Sequence, residues 1–246
     1  MARQYRDRRA LVTGASRRLG RAIALRLAEA GADVVLHFRS DEAGARDTAE
    51  EIREVHGRQA VVLQADLADP DAARNLVVEA EAALGPLDLL VNNAAIFVRT
   101  PLDTMTPEDF DGHMEANARS VYVLSLEAGR RMKARGHGCI VNLADVAGIR
   151  PWPAYVPYSA SKGAVWNLTL GFARALAPEV RVNGIAPGPM LPPAGESPEQ
   201  GEKAVANTLL GRWGEPRDIA EAVLFLATTG YVTGVVLPVD GGRSIA

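Results

Sequence analysis

Asp145, Tyr158 and Lys162 are the residues whose types and spacing most directly suggest chemistry, with the phenol 13 positions after the carboxylate and the ammonium one helical turn after the phenol. A tyrosine and a lysine four residues apart share a helix face, so the ammonium can stand beside the phenol and favour its anion. Tyr158 is then a candidate acid or base near neutral pH. The trio suggests a hydride-transfer site with an unusual carboxylate in it. A Tyr-Lys pair also has a plainer explanation as a short pattern met by chance. Composition bears on the choice: of 27 lysines and arginines only Lys133, Lys162 and Lys203 are lysine. A compact ammonium on a flexible stem suits a pocket that must bond a ribose and a phenol, and a planar guanidinium is no simple substitute.

The elements that must position these side chains follow from the hydrophobic pattern. β-Branched runs at 10–13, 33–38, 60–64, 88–91, 139–143, 180–185 and 235–239 predict strands. Segments 18–30, 42–56, 70–84, 106–135, 158–178 and 217–227 carry apolar residues at helical spacing, as in Leu19, Ile23 and Leu27. The alternation predicts an α/β fold, a doubly wound parallel sheet of about seven strands with helices on both faces. Asp69-Pro70 and Thr106-Pro107-Glu108-Asp109 read as helix starts, the second an acidic variant of the capping box. The least regular stretch, 186–201, holds five prolines and three glycines, and its length predicts a substrate lid.

A chain of 246 residues with 48% hydrophobic content can build one core that buries about 70–75% of its extended surface. One domain over 1–246 is expected. A net charge of −3 and a pI near 5.9 give no footprint for nucleic acid or an anionic membrane, so the expected partners are small molecules or copies of the chain. Cys139 is the only cysteine and sits in an apolar run, which predicts a buried filler and a reducing cytoplasm. The four arginines before residue 10 are not followed by an apolar run, so a solvated tail is expected there rather than a secretory signal. No apolar run is long enough to span a bilayer, and the four scattered histidines suggest no metal site.

Thr13-Gly14-Ala15-Ser16-Arg17-Arg18-Leu19-Gly20 joins the first strand to the first helix, where a glycine turn lets backbone amides and a helix N-terminus approach a pyrophosphate. Gly14 and Gly20 stand at two of the three fingerprint positions, with Arg18 between them. The second strand ends in His37-Phe38-Arg39-Ser40 with no acid to bond a ribose 2′-hydroxyl, whereas Arg39 and Ser40 can hold a 2′-phosphate. NADPH/NADP+ is therefore expected over NADH. Arg17 either reinforces that preference or is an ordinary exposed arginine.

Taken together, these residues resemble the short-chain dehydrogenase/reductase family over nearly the whole chain. The resemblance is carried by the Thr13–Gly20 turn, Asp66-Leu67, Asn92-Asn93-Ala94-Ala95, Asn117, Tyr158-Ser159-Ala160-Ser161-Lys162, Pro187-Gly188 and Val239-Asp240-Gly241-Gly242. It implies a single Rossmann-like domain and a nicotinamide cofactor. Tyr158 would be the proton donor, Lys162 would bond the nicotinamide ribose, and Asn117 would position a water in a proton relay. Asp66 would meet the adenine and Asn93-Ala94 would line the cleft; Leu19, Leu67, Ala95, Pro187 and Gly188 complete the implied cofactor set. A homotetramer is also implied.

Most members of the family have serine where Asp145 stands. A serine hydroxyl donates to a ketone oxygen, but a carboxylate only accepts and would repel a developing alkoxide. A carboxyl whose pKa is raised by burial can instead deliver a proton to nitrogen, as reduction of a C=N bond requires. Arg18, Asp145 and Phe97, with the stretch His37–Ser40, resemble the pteridine reductase branch, although that branch often has serine where Ala95 stands. The resemblance implies a pterin or folate lying between the nicotinamide and Phe97, with Arg18 facing the phosphates and the pterin's oxo edge. It places Tyr155 near the pterin or Asp145. The expected activity is thus NADPH-dependent reduction of dihydropterins or dihydrofolate-like compounds. The alternatives are a carbonyl reductase or alcohol dehydrogenase acting on a ketone, sugar or 3-oxoacyl substrate, and a dinucleotide sensor without chemistry, against which Tyr158, Lys162 and Asn117 speak.

Overall fold

The computed structural model describes residues 5–190 and 205–246. Its seven strands are β1 (Arg9–Val12), β2 (Asp33–Phe38), β3 (Ala60–Gln64), β4 (Leu89–Asn92), β5 (Gly138–Leu143), β6 (Val180–Pro187) and β7 (Val236–Val239). They form one sheet in the order β3-β2-β1-β4-β5-β6-β7, and every neighbouring pair is parallel. Parallel strands need crossovers. The helices supply them: α1 (Arg18–Glu29), α2 (Glu42–His56), α3 (Pro70–Leu84), α4 (Pro107–His113), α5 (Ser120–Arg135), α6 (Val156–Leu176) and α7 (Pro216–Thr228).

Side chains alternate across a strand, and here both sides are apolar because both are covered. Ala10 and Val12 of β1 enter one core with Ile23 and Leu27 of α1, Ile52 of α2 and Val223 of α7. Leu11 enters the other, with Leu76 of α3, Met132 of α5 and Phe172 of α6. Cys139 is buried in the first core, and burial pushes its thiol up to about 11, which fits a filler rather than a nucleophile. The helix starts form as their residues require: Asp69 accepts from the Asp71 amide at 2.8 Å, and Thr106 and Asp109 close a capping box.

Two expected boundaries change. Ala186 and Pro187 belong to β6, paired with Pro238 and Val239 of β7, so the irregular stretch begins later than 186. Its remainder beyond Met190 lies outside the described residues. The helix expected over 106–135 is interrupted by a π-helical turn at Met114–Arg119. Hydrophobic spacing cannot reveal that extra residue per turn, but it rotates Asn117 relative to α4.

The order of strands reverses between β1 and β4, which lie side by side although the chain runs from β1 to β2. In a doubly wound sheet the crevice at the carboxyl ends of such strands is the binding position. Gly14, Asn93 and Asp145 follow the ends of β1, β4 and β5.

Candidate active site

Asp145 leaves β5 in an extended conformation and caps a 3₁₀ turn at Val146–Gly148, its Oδ1 accepting from the Ala147 amide at 2.8 Å. The Tyr158 phenol donates to its Oδ2 at 2.7 Å. Tyr158 stands in the first turn of α6 and Lys162 in the second, both buried. The Lys162 ammonium donates to the Leu143 carbonyl at 2.7 Å and stands 5.8 Å from the centre of the Tyr158 ring.

Burial governs the electrostatics. It raises the Asp145 carboxyl above its ordinary value, and the Ala147 amide, the Tyr158 phenol and Lys162 only partly oppose it. Burial lowers Lys162 to about 8, against the pull of Asp145. For Tyr158 the expectation from the Tyr-Lys spacing is corrected. Burial, followed by the neighbouring Asp145 charge and the hydrogen bond to it, raises the phenol well above its ordinary value. Tyr158 is held as a neutral donor to the carboxyl, and Asp145 is the group moved toward neutral pH.

Asn117 knits the site to its surroundings. Its Oδ1 accepts from the Ile96 amide at 2.8 Å, and its Nδ2 donates to the Ile96 carbonyl at 3.0 Å and to Ser161 Oγ at 3.0 Å. Ser161 in turn donates to the Tyr158 carbonyl at 2.7 Å. The loop after β4 is thereby tied to α6. His113, one turn before Asn117, packs edge-on to the Tyr158 ring at 6.3 Å; its Nδ1 lies 2.7 Å from the Asp109 carbonyl and so carries the proton. A lone histidine offers no sequence signal for that placement.

The expected aromatic residues come together. Phe97 stacks on Tyr155 with centroids 4.7 Å apart and planes 5° from parallel, and meets Tyr158 edge-on at 4.7 Å. Trp152 closes the group, 6.3 Å from Phe97 and 5.8 Å from Tyr155. Phe97 remains 42% exposed.

At the other end, Gly14 adopts φ +64°, and a Cβ on Gly20 would stand 1.9 Å from the Gly14 carbonyl oxygen. Arg18 holds φ +51°, the left-handed region, in the place of the middle glycine. Arg17 caps α1 without a side-chain bond and no acid stands in the first turn, which leaves the helix N-terminus suited to an anion. Thr13, to which the sequence assigned no separate role, receives the Asn93 and Ala94 amides at 2.9 and 3.0 Å, and Asn93 Nδ2 donates to the Thr13 carbonyl at 2.8 Å. These residues fit a dinucleotide pyrophosphate. Arg17, Arg18, Arg39, Ser40, Asp66 and Ala95 are exposed, Leu19, Ala94 and Gly188 half-buried, and Pro187 buried in β6. His37, Phe38 and Leu67 turn inward instead. His37 Nδ1 accepts from the Gly14 amide at 3.1 Å and its Nε2 meets the Ala65 carbonyl at 3.1 Å, so this histidine braces the glycine turn from beneath.

Comparison with known proteins agrees with this geometry. A family profile described as Enoyl-(Acyl carrier protein) reductase matches residues 14–244. Gluconate 5-dehydrogenase of Gluconobacter oxydans is 38% identical, covering 97% of this chain and 95% of that protein. A short-chain dehydrogenase/reductase from Serratia marcescens superposes with a TM-score of 0.91 at 34% identity, over 98% of this chain and 99% of that one. The chain belongs to the short-chain dehydrogenase/reductase family. As a member it is an oxidoreductase that uses a nicotinamide cofactor. Another similar structure is FolM, an alternative dihydrofolate reductase 1 from Brucella canis complexed with NADP, with a TM-score of 0.92 at 33% identity over 100% of this chain and 97% of that one.

Proposed function

We propose that this short-chain dehydrogenase/reductase is an NADPH-dependent pteridine reductase that converts dihydropterins or dihydrofolate-like compounds to their tetrahydro forms. The observation that carries the reading is the Asp145 carboxyl, raised by burial and held at 2.7 Å by a protonated phenol, beside the exposed ring of Phe97. The FolM likeness supports it. Arg39 and Ser40 would hold the 2′-phosphate, the N-terminus of α1 the pyrophosphate, and Tyr158 and Lys162 the nicotinamide ribose. Bound NADPH supplies the hydride for C6 of a 7,8-dihydropterin. The chain must supply a proton at N5. Asp145, its pKa raised by burial, delivers it from its protonated form, and the Tyr158 hydroxyl stabilises the carboxylate left behind. Asn117 holds the loop before Phe97 and the backbone of Tyr158, directly and through Ser161. Phe97 offers a flat heterocycle an aromatic face.

The pH profile of kcat tests this role. Asp145 acts in its protonated form, so kcat for 7,8-dihydrobiopterin falls as pH rises through its raised pKa. Asp145→Asn carries no such proton and should be slow and flat over the same range. A flat wild-type profile, or an Asn variant as fast as wild type, refutes the carboxyl as proton donor. Cofactor choice has its own check: Arg39→Asp removes the phosphate partner and places a carboxylate beside it, so KM for NADPH should rise at least about tenfold while KM for NADH falls. Equal KM values before and after would remove Arg39 from the 2′-phosphate site.

A second reading, a carbonyl reductase or alcohol dehydrogenase, is favoured by the gluconate 5-dehydrogenase relative and by the neutral Tyr158 donor. Asp145 counts against it, because it stands where a serine hydroxyl would donate to a ketone and, once ionised, it opposes an alkoxide. The proposal includes a homotetramer, to be checked by sedimentation, and a cytoplasmic location. No helix among the described residues is long and apolar enough to cross a membrane.

A further inference from the structure

We infer that Arg150 and Arg243 form a subsite for carboxylates at the outer end of the substrate, so that the substrate carries an anionic tail of the p-aminobenzoylglutamate kind rather than a short neutral side chain. The inference rests on the pteridine reading and narrows its substrate class.

The two arginines line a cavity of about 220 Å³ together with Val146, Trp152 and Asn207. Val146 directly follows Asp145, and Trp152 is the outer member of the aromatic group around Phe97. Through Trp152 the cavity adjoins the aromatic group around Phe97, and through the backbone of Val146 it lies next in the chain to Asp145. Its lining carries two guanidiniums together with the backbone oxygen of Ala246. Arg150 Nη1 donates to the backbone oxygens of Arg243 at 3.0 Å and Ala246 at 2.6 Å, and Arg243 Nη1 donates to the Asn207 carbonyl at 3.2 Å. Among the described residues neither guanidinium has a side-chain carboxylate at ion-pair distance, whereas Arg26 and Arg131 are held by glutamates. A guanidinium engaged through one nitrogen keeps further N–H donors for a carboxylate, in the fork geometry that suits it. A flat ring on Phe97 with a benzoyl group passing Trp152 brings a terminal glutamate to this pair. A dihydroxypropyl side chain has no charge to place there.

The test compares kcat/KM for dihydrofolate and 7,8-dihydrobiopterin in wild type and in the Arg150→Gln/Arg243→Gln double variant. The dihydrofolate-to-dihydrobiopterin ratio should fall about tenfold in the variant, through KM rather than kcat. In wild type, added salt should raise KM for dihydrofolate more than for dihydrobiopterin. A second measurement needs no variant: calorimetric titration of the NADP+-loaded protein with p-aminobenzoylglutamate and with its neutral dimethyl ester, of which the diacid alone should bind. If both pterins are reduced and the ratio does not move, the subsite is wrong and the pteridine reading stands. If neither pterin is reduced, the pteridine reading fails and the titration decides: binding of the diacid alone keeps a carboxylate site, and binding of neither, or of both equally, removes it.

Discussion

Replacing Asp145 by serine should lower kcat/KM for 7,8-dihydrobiopterin by about 10²- to 10⁴-fold, the range associated with loss of a general acid. Ketone reduction by the same variant should be preserved or improved, because a serine hydroxyl donates where an ionised carboxylate repels. The substitution reaches beyond the lost proton. Asp145 raises the Tyr158 phenol both by its charge and by its hydrogen bond, so without it the phenol moves back toward its ordinary value. Lys162 is held at about 8 with Asp145 pulling it upward, so removal of the carboxylate lowers the ammonium further. The alkaline limb of the variant's pH profile should therefore shift to lower pH. Steady-state rates on both substrate types check the first effect and the pH profile the second. A variant that keeps full pterin activity would leave Asp145 without a role in proton delivery.

The next largest effect is expected at the glycine turn. A methyl group at Gly20 would stand 1.9 Å from the Gly14 carbonyl oxygen and 2.7 Å from Asn93 Nδ2. Neither can yield freely, because Gly14 is fixed at φ +64° over His37 and Asn93 is bonded to Thr13. Gly20→Ala must open the turn, at a cost of about 1–3 kcal/mol, which in a domain of this size lowers Tm by about 2–4 °C for each kcal/mol. The displaced amides no longer meet a pyrophosphate, so the rise in Tm that NADPH gives the wild type should be lost. Thermal unfolding with and without NADPH measures both. An unchanged midpoint with an unchanged NADPH shift would mean that the turn tolerates the methyl group and does not carry the cofactor.

The sheet was legible in the sequence because its strands are covered on both faces. Ala10, Leu11 and Val12 are apolar in succession, a pattern that a half-solvated strand would not keep. Asp145, Tyr158, Lys162 and Phe97 were legible because their types are costly to bury without a partner or wasteful to expose. What stayed hidden depends on three-dimensional neighbours. The direction of the Tyr158 pKa shift follows from burial and then from a carboxylate 13 residues away, not from the lysine one turn on. His37 lies in the stretch that suggested a phosphate site, yet its side chain points under Gly14 because alternate residues of β2 face opposite ways. The π-helical turn that places Asn117 leaves no mark on apolar periodicity. Arg150 and Arg243 lie far apart in the chain and meet only where the last residues return past the loop after β5.

The most direct measurement is NADPH oxidation by the wild-type protein, followed by loss of its near-ultraviolet absorbance, with 7,8-dihydrobiopterin, dihydrofolate and a panel of ketones, sugars and 3-oxoacyl thioesters. Turnover of the pterins at rates well above the carbonyl compounds is the expected result. Brisk ketone reduction with both pterins silent would contradict it, and would make this protein a carbonyl reductase in which Asp145 does something other than protonate nitrogen.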